Sequence, residues 1–310
     1  MLKAVVGDGL KILKTGKSMR DATLRKNRIK DDRSKRVSMA IVFVIFVIYA
    51  VTLMFPFIWI FLNSLKTRGE FNASVWSLPK YWFYENYLDC FAMEYNGVSI
   101  LGMFGNSIIY TFTCTIVSVF FSSVTAYVLS KYKFPGSKMF YSLAFVLMMI
   151  PMVGNTASTY KLFHDLHFYD TYHGIIISSC GGFGMSFVLL YGFFKNISWT
   201  YAEAAFLDGA SNFRVFFKIM LPMAMPAVIA MAIQGAIGIW NDYFTFYMYA
   251  PSKVTISLGL YGLQSKNAYG KISYPQLFAA MIVATVPIIV LYAACQNFIV
   301  KNTTIGGIKG

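Results

Sequence analysis

Residues 38–62 read SMAIVFVIFVIYAVTLMFPFIWIFL, 25 positions without a charge. A helix crossing the roughly 30 Å hydrocarbon core of a bilayer needs about 20 such residues, so this stretch by itself predicts a membrane span. It is too long, and begins too late, to be a secretory signal peptide. Working outward, 104–129, 139–160, 174–194, 223–249 and 277–300 also qualify. The fold class that follows is an all-α transmembrane protein of six helices. Pro151, Pro226 and Pro287 mark expected kinks. Gly235, Gly238 and Asn241-Asp242 interrupt the fifth stretch, and the run Ser178-Ser179-Cys180-Gly181-Gly182 with Gly184 predicts a close-packing fourth helix.

Composition agrees. The chain is 57% hydrophobic and 13% charged, with a mean hydropathy of +0.57, where a soluble domain spends about a quarter of its residues on charge. The net charge of +14 raises the question of nucleic acid. Residues 1–37 hold twelve Lys/Arg and four Asp, but no aromatic interleaves with them and no zinc-finger or helix-turn-helix spacing follows. Basic residues before a first span are instead the positive-inside signal, compatible with contact to anionic membrane lipid. With the N-terminus inside, the inner segments 1–37, 130–138, 195–222 and 301–310 carry 20 Lys/Arg against 7 in the outer segments. The expected organisation is a basic inner arm (1–37), a membrane body (38–300) and an inner tail (301–310), both termini inside. The two halves of the body show no internal similarity, which weighs against a repeat-built carrier.

No nucleotide-cradling GxxxxGK[ST], HExxH or GxSxG occurs, so an enzyme reading has nothing to stand on. His164, His167 and His173 lie in or beside one outer loop and read as solvated residues. Cys90, Cys114, Cys180 and Cys295 show no paired or metal-binding spacing and read as small hydrophobes. The first outer loop carries Trp76-Ser77-Leu78-Pro79-Lys80-Tyr81-Trp82-Phe83, either an interfacial aromatic belt or a docking surface.

Between the fourth and fifth spans the inner loop 195–222 contains Glu203-Ala204-Ala205-Phe206-Leu207-Asp208-Gly209 and, after nine residues, Ile219-Met220-Leu221-Pro222. Strong helix formers lead to a glycine turn at Gly209. Ser211-Asn212 can cap a second short helix through Met220, which Leu221-Pro222 would end. Ala204 and Ala205 both offer a surface for close approach. The loop is too apolar for a free linker: Phe206, Leu207, Phe213, Val215, Phe216, Phe217 and Ile219 either pack back on the spans or insert into a groove on another protein.

Glu-Ala-Ala, three residues, Gly, nine residues, Ile-x-Leu-Pro resembles the loop of binding-protein-dependent ABC importer permeases at every defined position. The resemblance extends to the carbohydrate-importing, maltose-type inner-membrane subfamily. It is carried by Asp208-Gly209-Ala210, Asn63-Ser64-Leu65-Lys66, Glu85-Asn86-Tyr87, Asn106-Ser107, Trp240-Asn241-Asp242-Tyr243 and the ending Gly306-Gly307-Ile308-Lys309-Gly310. The arm is longer and more basic than is typical of that subfamily, and Lys301-Asn302 stands where Lys-Gly is commoner.

The resemblance implies a six-helix type I importer half-channel in a bacterial cytoplasmic membrane. It would pair with a second permease subunit, two ATPase subunits and an extracytoplasmic solute-binding protein that delivers a carbohydrate. ATP and Mg would be bound by the ATPase subunits, leaving this chain without a cofactor of its own. Glu203, Ala204, Ala205, Asp208 and Gly209 would form the coupling contact. Ile219, Leu221 and Pro222 would anchor it, and Gly306, Gly307, Lys309 and Gly310 would reach the ATPases.

Asp242 is the only acidic residue in an expected span, where a charge is expensive. It belongs either to the substrate path, with Asn155, Ser178, Gln234 and Asn241, or to a hydrogen bond fixing a bend, with Trp240 as a partner. An ion-coupled carrier with Asp242 as its protonation site, and the same architecture with another cargo, are the alternatives.

Overall fold

The computed structural model describes residues 33, 35–149, 152–268, 270 and 272–303; the residues called for the tail, Gly306 to Gly310, nearly all of the basic arm, and Pro151 lie outside them. Contacts divide the chain at Ile60/Phe61. The first apolar stretch is helix α1, Lys35–Ser64, 30 residues long, with its large side chains exposed from Val37 through Ile58, as suits a lipid-facing rod.

From Phe61 onward the stretch expected to be an outer loop folds before the next span. α2 (Arg68–Ala73) is capped by Thr67, and α3 (Glu85–Phe91) follows. β1 (Glu94–Tyr95) and β2 (Val98–Ser99) pair antiparallel around Asn96-Gly97, both at positive φ (51° and 77°), the dihedrals a tight hairpin requires. α4 (Ile100–Lys131) is the central helix, N-capped by Ser99 and packed along α8 and α11. α5 (Ser137–Met149) and α6 (Met152–Asp165) follow, then α7 (Tyr172–Ser178), α8 (Met185–Asn196) and α9 (Thr200–Leu207). α10 (Asn212–Val215), a π turn (Phe216–Met220) and α11 (Leu221–Asn241) run into one another. α12 (Phe244–Tyr249), α13 (Ile256–Ala268) and α14 (Tyr274–Thr303) complete the described residues.

Among the described residues four helices suit a membrane crossing by length and apolarity: Lys35–Ser64, Ile100–Lys131, Asn212–Asn241 and Tyr274–Gln296. The other two expected spans are not continuous. The third is the pair α5 and α6, whose segments Ser137–Met149 and Gly154–Asp165 lie at 106° to one another. The fourth is α7 and α8, because the glycine run ends the helix rather than packing it. Residues 179–184 are non-helical and Gly184 has φ 149°, which only glycine adopts cheaply. Gly182 does approach α4 closely: a Cβ there would lie 2.4 Å from Thr125 Oγ1.

The fifth stretch departs in the opposite sense. Gly235 and Gly238 lie inside continuous helix, and the break falls at Asp242, whose backbone is extended. Nor do Leu221-Pro222 end the preceding helix. The Leu221 N–H donates to Phe216 O across the π turn, so the ladder widens by one residue just ahead of the proline that lacks a donor. α13 is the element that sequence reading left inside an outer loop. Its start is clamped by α4: Asn106 Nδ2 donates to Val254 O (2.9 Å) and the Ile256 N–H to Ser107 Oγ (2.8 Å).

Among the described residues apolar side chains collect in two large clusters and a small one around Cys90, Ala279 and Ala280. Of the large ones, the first joins Met103, Tyr110, Trp240, Phe246, Leu258 and Leu277; the second joins Tyr127, Phe187, Phe194, Val215, Phe216 and Met220.

Candidate functional site: an exposed loop and a polar cavity

The loop after α8 is built on the second cluster. Tyr132, beyond the end of α4, packs edge-on to Trp199 at 5.6 Å and its hydroxyl donates to Asn212 Oδ1 at 3.0 Å. Lys131 Nζ donates to Ile197 O. Phe216 lies 5.0 Å from the Tyr127 ring. On α9, Ala202 and Ala205 are buried while Glu203, Ala204, Leu207 and Asp208 are exposed, so the two alanines expected to share one surface face opposite ways. At the end of α9 the Gly209 N–H donates to Phe206 O (3.0 Å) and the Ala210 N–H to Ala205 O (2.9 Å), with Gly209 at φ 76°. This is a Schellman cap, which needs a left-handed residue at that position. Ser211 Oγ then accepts from the Arg214 N–H and starts α10.

The loop's apolar residues therefore divide between the two readings of the sequence. Val215 and Phe216 are buried, and Phe206, Ile219 and Leu221 pack partly against the same cluster. Leu207 is 90% exposed and Phe213 79%. A rigid, well-capped loop thus presents Glu203, Asp208 and two large apolar side chains outward. Pro222 is also exposed.

A cavity of about 720 Å³ lies between α4, α6, α7, α11 and α12. Its polar lining is Asn155, Thr156, Thr159, Ser178, Ser179 and Asp242 with Thr245, and Phe163, Phe244, Phe246 and Tyr249 supply aromatic walls. Asn155, Ser178 and Asp242 are brought together in this lining. Gln234 is exposed on α11 and Asn241 Nδ2 donates to Ile237 O (2.8 Å); neither is among the lining residues. Asp242 Oδ1 accepts from the Thr245 N–H at 3.0 Å and so caps α12. Trp240 is not its partner: that indole donates to Ala284 O at 3.3 Å. Asp242 thus both fixes a break and lines the cavity. The walls from α12 and the role of Thr245 escaped sequence reading, since α12 follows a break no periodicity marks.

The outer loop is closed by a third set. Lys66, fully buried, donates to Ser74 O (3.0 Å) and Val75 O (3.3 Å). Burial pushes its pKa below the usual lysine value, and the Glu70 carboxylate pulls the other way. Asn86 Nδ2 donates to Ser64 O and Lys66 O, both at 2.8 Å, and the Ser64 and Tyr87 hydroxyls are 2.7 Å apart. Of the histidines, His164 stacks on Tyr169 at 4.1 Å.

Residues 118–305 match the family described as binding-protein-dependent transport system inner membrane component. The diacetylchitobiose uptake system permease protein NgcG of Streptomyces coelicolor is 30% identical over 277 residues, 88% of this chain and 90% of the relative. The arabinooligosaccharides transport system permease protein AraQ of Bacillus subtilis is 30% identical over 86% of this chain and 94% of its own length. The melibiose/raffinose/stachyose import permease protein MelC of the same organism is 27% identical over 88% and 98%. In fold the chain is similar to a subunit of a bacterial ABC transporter that imports the acidic polysaccharide alginate, with a TM-score of 0.70 at 24% identity over 86% of this chain and 97% of that one.

Proposed function

The chain belongs to the binding-protein-dependent transport system inner membrane components, and on that premise we propose that it is the permease half of an ATP-driven importer of a carbohydrate, in particular an oligosaccharide. The cargo reading rests on relatives named for diacetylchitobiose, arabinooligosaccharides and melibiose, raffinose and stachyose. The permease performs no covalent chemistry. ATP and Mg are bound by two partner ATPases, a second permease completes the channel, and a solute-binding protein delivers the sugar outside.

The chain crosses a bacterial cytoplasmic membrane six times with both termini inside, α5–α6 and α7–α8 each forming one broken crossing. The single observation that carries the coupling role is the outward face of α9, where Glu203, Ala204, Leu207 and Asp208 stand exposed on a loop locked by Gly209 and Ser211. That face enters a cleft on an ATPase, with Ile219, Leu221 and Pro222 holding the loop to the membrane body. Gly306, Gly307, Lys309 and Gly310 are assigned to the ATPase interface on sequence resemblance. The sugar path runs through the cavity lined by Asn155, Ser178 and Asp242; its lining gives no support for including Gln234 or Asn241.

Affinity purification of the chain from native membranes, with mass spectrometry of what accompanies it, tests the assembly. An ATPase, a second permease and a solute-binding protein are expected. Recovery of the chain alone, or as a homodimer without an ATPase, overturns the reading.

A further inference from the structure

The cavity's charge balance goes one step beyond its size and polarity. Among its described lining residues Asp242 is the one charged side chain, and no Lys, Arg or His faces it. The hydroxyls of Thr156, Thr159 and Ser178 and the Asn155 amide are neutral hydrogen-bonding groups. Of the cations on neighbouring stretches, Lys161 is exposed on α6 and Lys253 lies over the Tyr172 ring at 4.9 Å; neither is among the lining residues. A second carboxylate, Asp170, is held next to the cavity's outer wall, its N–H donating to the carbonyl of Tyr249 and its Oδ1 accepting from the Ser252 N–H. A concave site of one sign with low-dielectric walls focuses its field inward, enriching ions of opposite sign by tenfold or more and depleting those of like sign.

We infer that this cavity is anionic and sorts sugars by charge, admitting uncharged and amino sugars and disfavouring uronates and other acidic sugars. The inference rests on the cavity being the sugar path. Neutral sugars need hydroxyl and amide partners and aromatic faces, and the cavity holds both. An acidic sugar needs a guanidinium or ammonium partner to offset its desolvation, and among the described lining residues there is none. Asp242 has a structural duty that its charge does not serve, because an asparagine side-chain oxygen can accept from the Thr245 N–H equally well. The isosteric exchange therefore separates the charge from the cap.

The test needs no knowledge of the cargo. In the whole complex in lipid nanodiscs, with Cys90, Cys114, Cys180 and Cys295 replaced by serine, Ser178→Cys reports on the cavity and Leu78→Cys, 70% exposed in the outer loop, is the reference. Each is treated with a cationic trimethylammonium and an anionic sulfonate methanethiosulfonate. The cation-to-anion rate ratio at position 178 is expected to exceed that at position 78 about tenfold, and Asp242→Asn should lower it toward the reference value. A ratio equal to the reference, or one that Asp242→Asn leaves unchanged, overturns the inference. Modification by neither reagent overturns the pathway reading of the cavity as well, leaving the assembly with an ATPase to stand on its own test.

Discussion

At Asn86 a single carboxamide closes the outer loop by donating to two buried carbonyls, those of Ser64 and Lys66. Removing it leaves both acceptors buried without that donor. Asn86→Ala should cost about 1–3 kcal/mol, seen as a lowered melting temperature of the purified complex, while Glu85→Ala, at an exposed neighbour, should leave it unchanged. Glu203 works outward instead. Glu203→Lys should insert normally yet reduce ATPase co-purification about thirtyfold or more, the loss that ~2 kcal/mol produces; full recovery of the complex with normal uptake would sink the coupling role. Four of the sequence strings that carried the family resemblance are joints. Asn63 to Lys66 meets Glu85 to Tyr87, Asn106-Ser107 holds the start of α13, and Asp242 holds α12. Their spacing was readable, but apart from Asp242, which accepts from Thr245 three positions on, their partners lie 20 to 149 positions away, and no local pattern encodes such a pairing. That is also why the indole of Trp240 was offered as a partner of Asp242 when it bonds Ala284.

Among the elements, hydrophobic length was a sound guide to α1, α4, α11 and α14, which have little but lipid or other apolar helices to satisfy. It did not show the breaks within α5 to α8, where short helices change direction, because average hydropathy does not register a break that buried partners tolerate. α13 was missed for the complementary reason: at 13 residues it is too short for a span and was absorbed into a loop. The α7 segment offers a direct test. A Cβ on Gly174 would lie 2.2 Å from the main-chain oxygen of Phe168, an atom that cannot rotate away. Gly174→Ala should therefore cost about 1–3 kcal/mol and shift α7, which carries Ser178 and Ser179 into the cavity. Reduced thermal stability together with altered thiol reactivity at Ser178→Cys is expected, whereas unchanged values of both would show that the turn at Phe168 yields freely.

For the whole molecule the charge asymmetry makes a prediction about sidedness. In intact cells a membrane-impermeant maleimide should label Lys80→Cys but not Leu207→Cys, and permeabilisation should expose the latter; the reverse pattern would invert the proposed topology. With that orientation, the helix from Asn212 to Asn241 acquires a mechanical meaning. Thirty residues of near-continuous helix make a rod about 45 Å long. One end is seated beside the exposed loop, and the other stops one residue short of the carboxylate in the cavity. Force applied at Phe213 need not pass from side chain to side chain; it can arrive at Asp242 as the swing of a lever, with the cluster around Tyr127 and Met220 as its fulcrum. The arm beyond that fulcrum is much the longer of the two, so under the proposed coupling a small tilt at the loop would be magnified at the cavity.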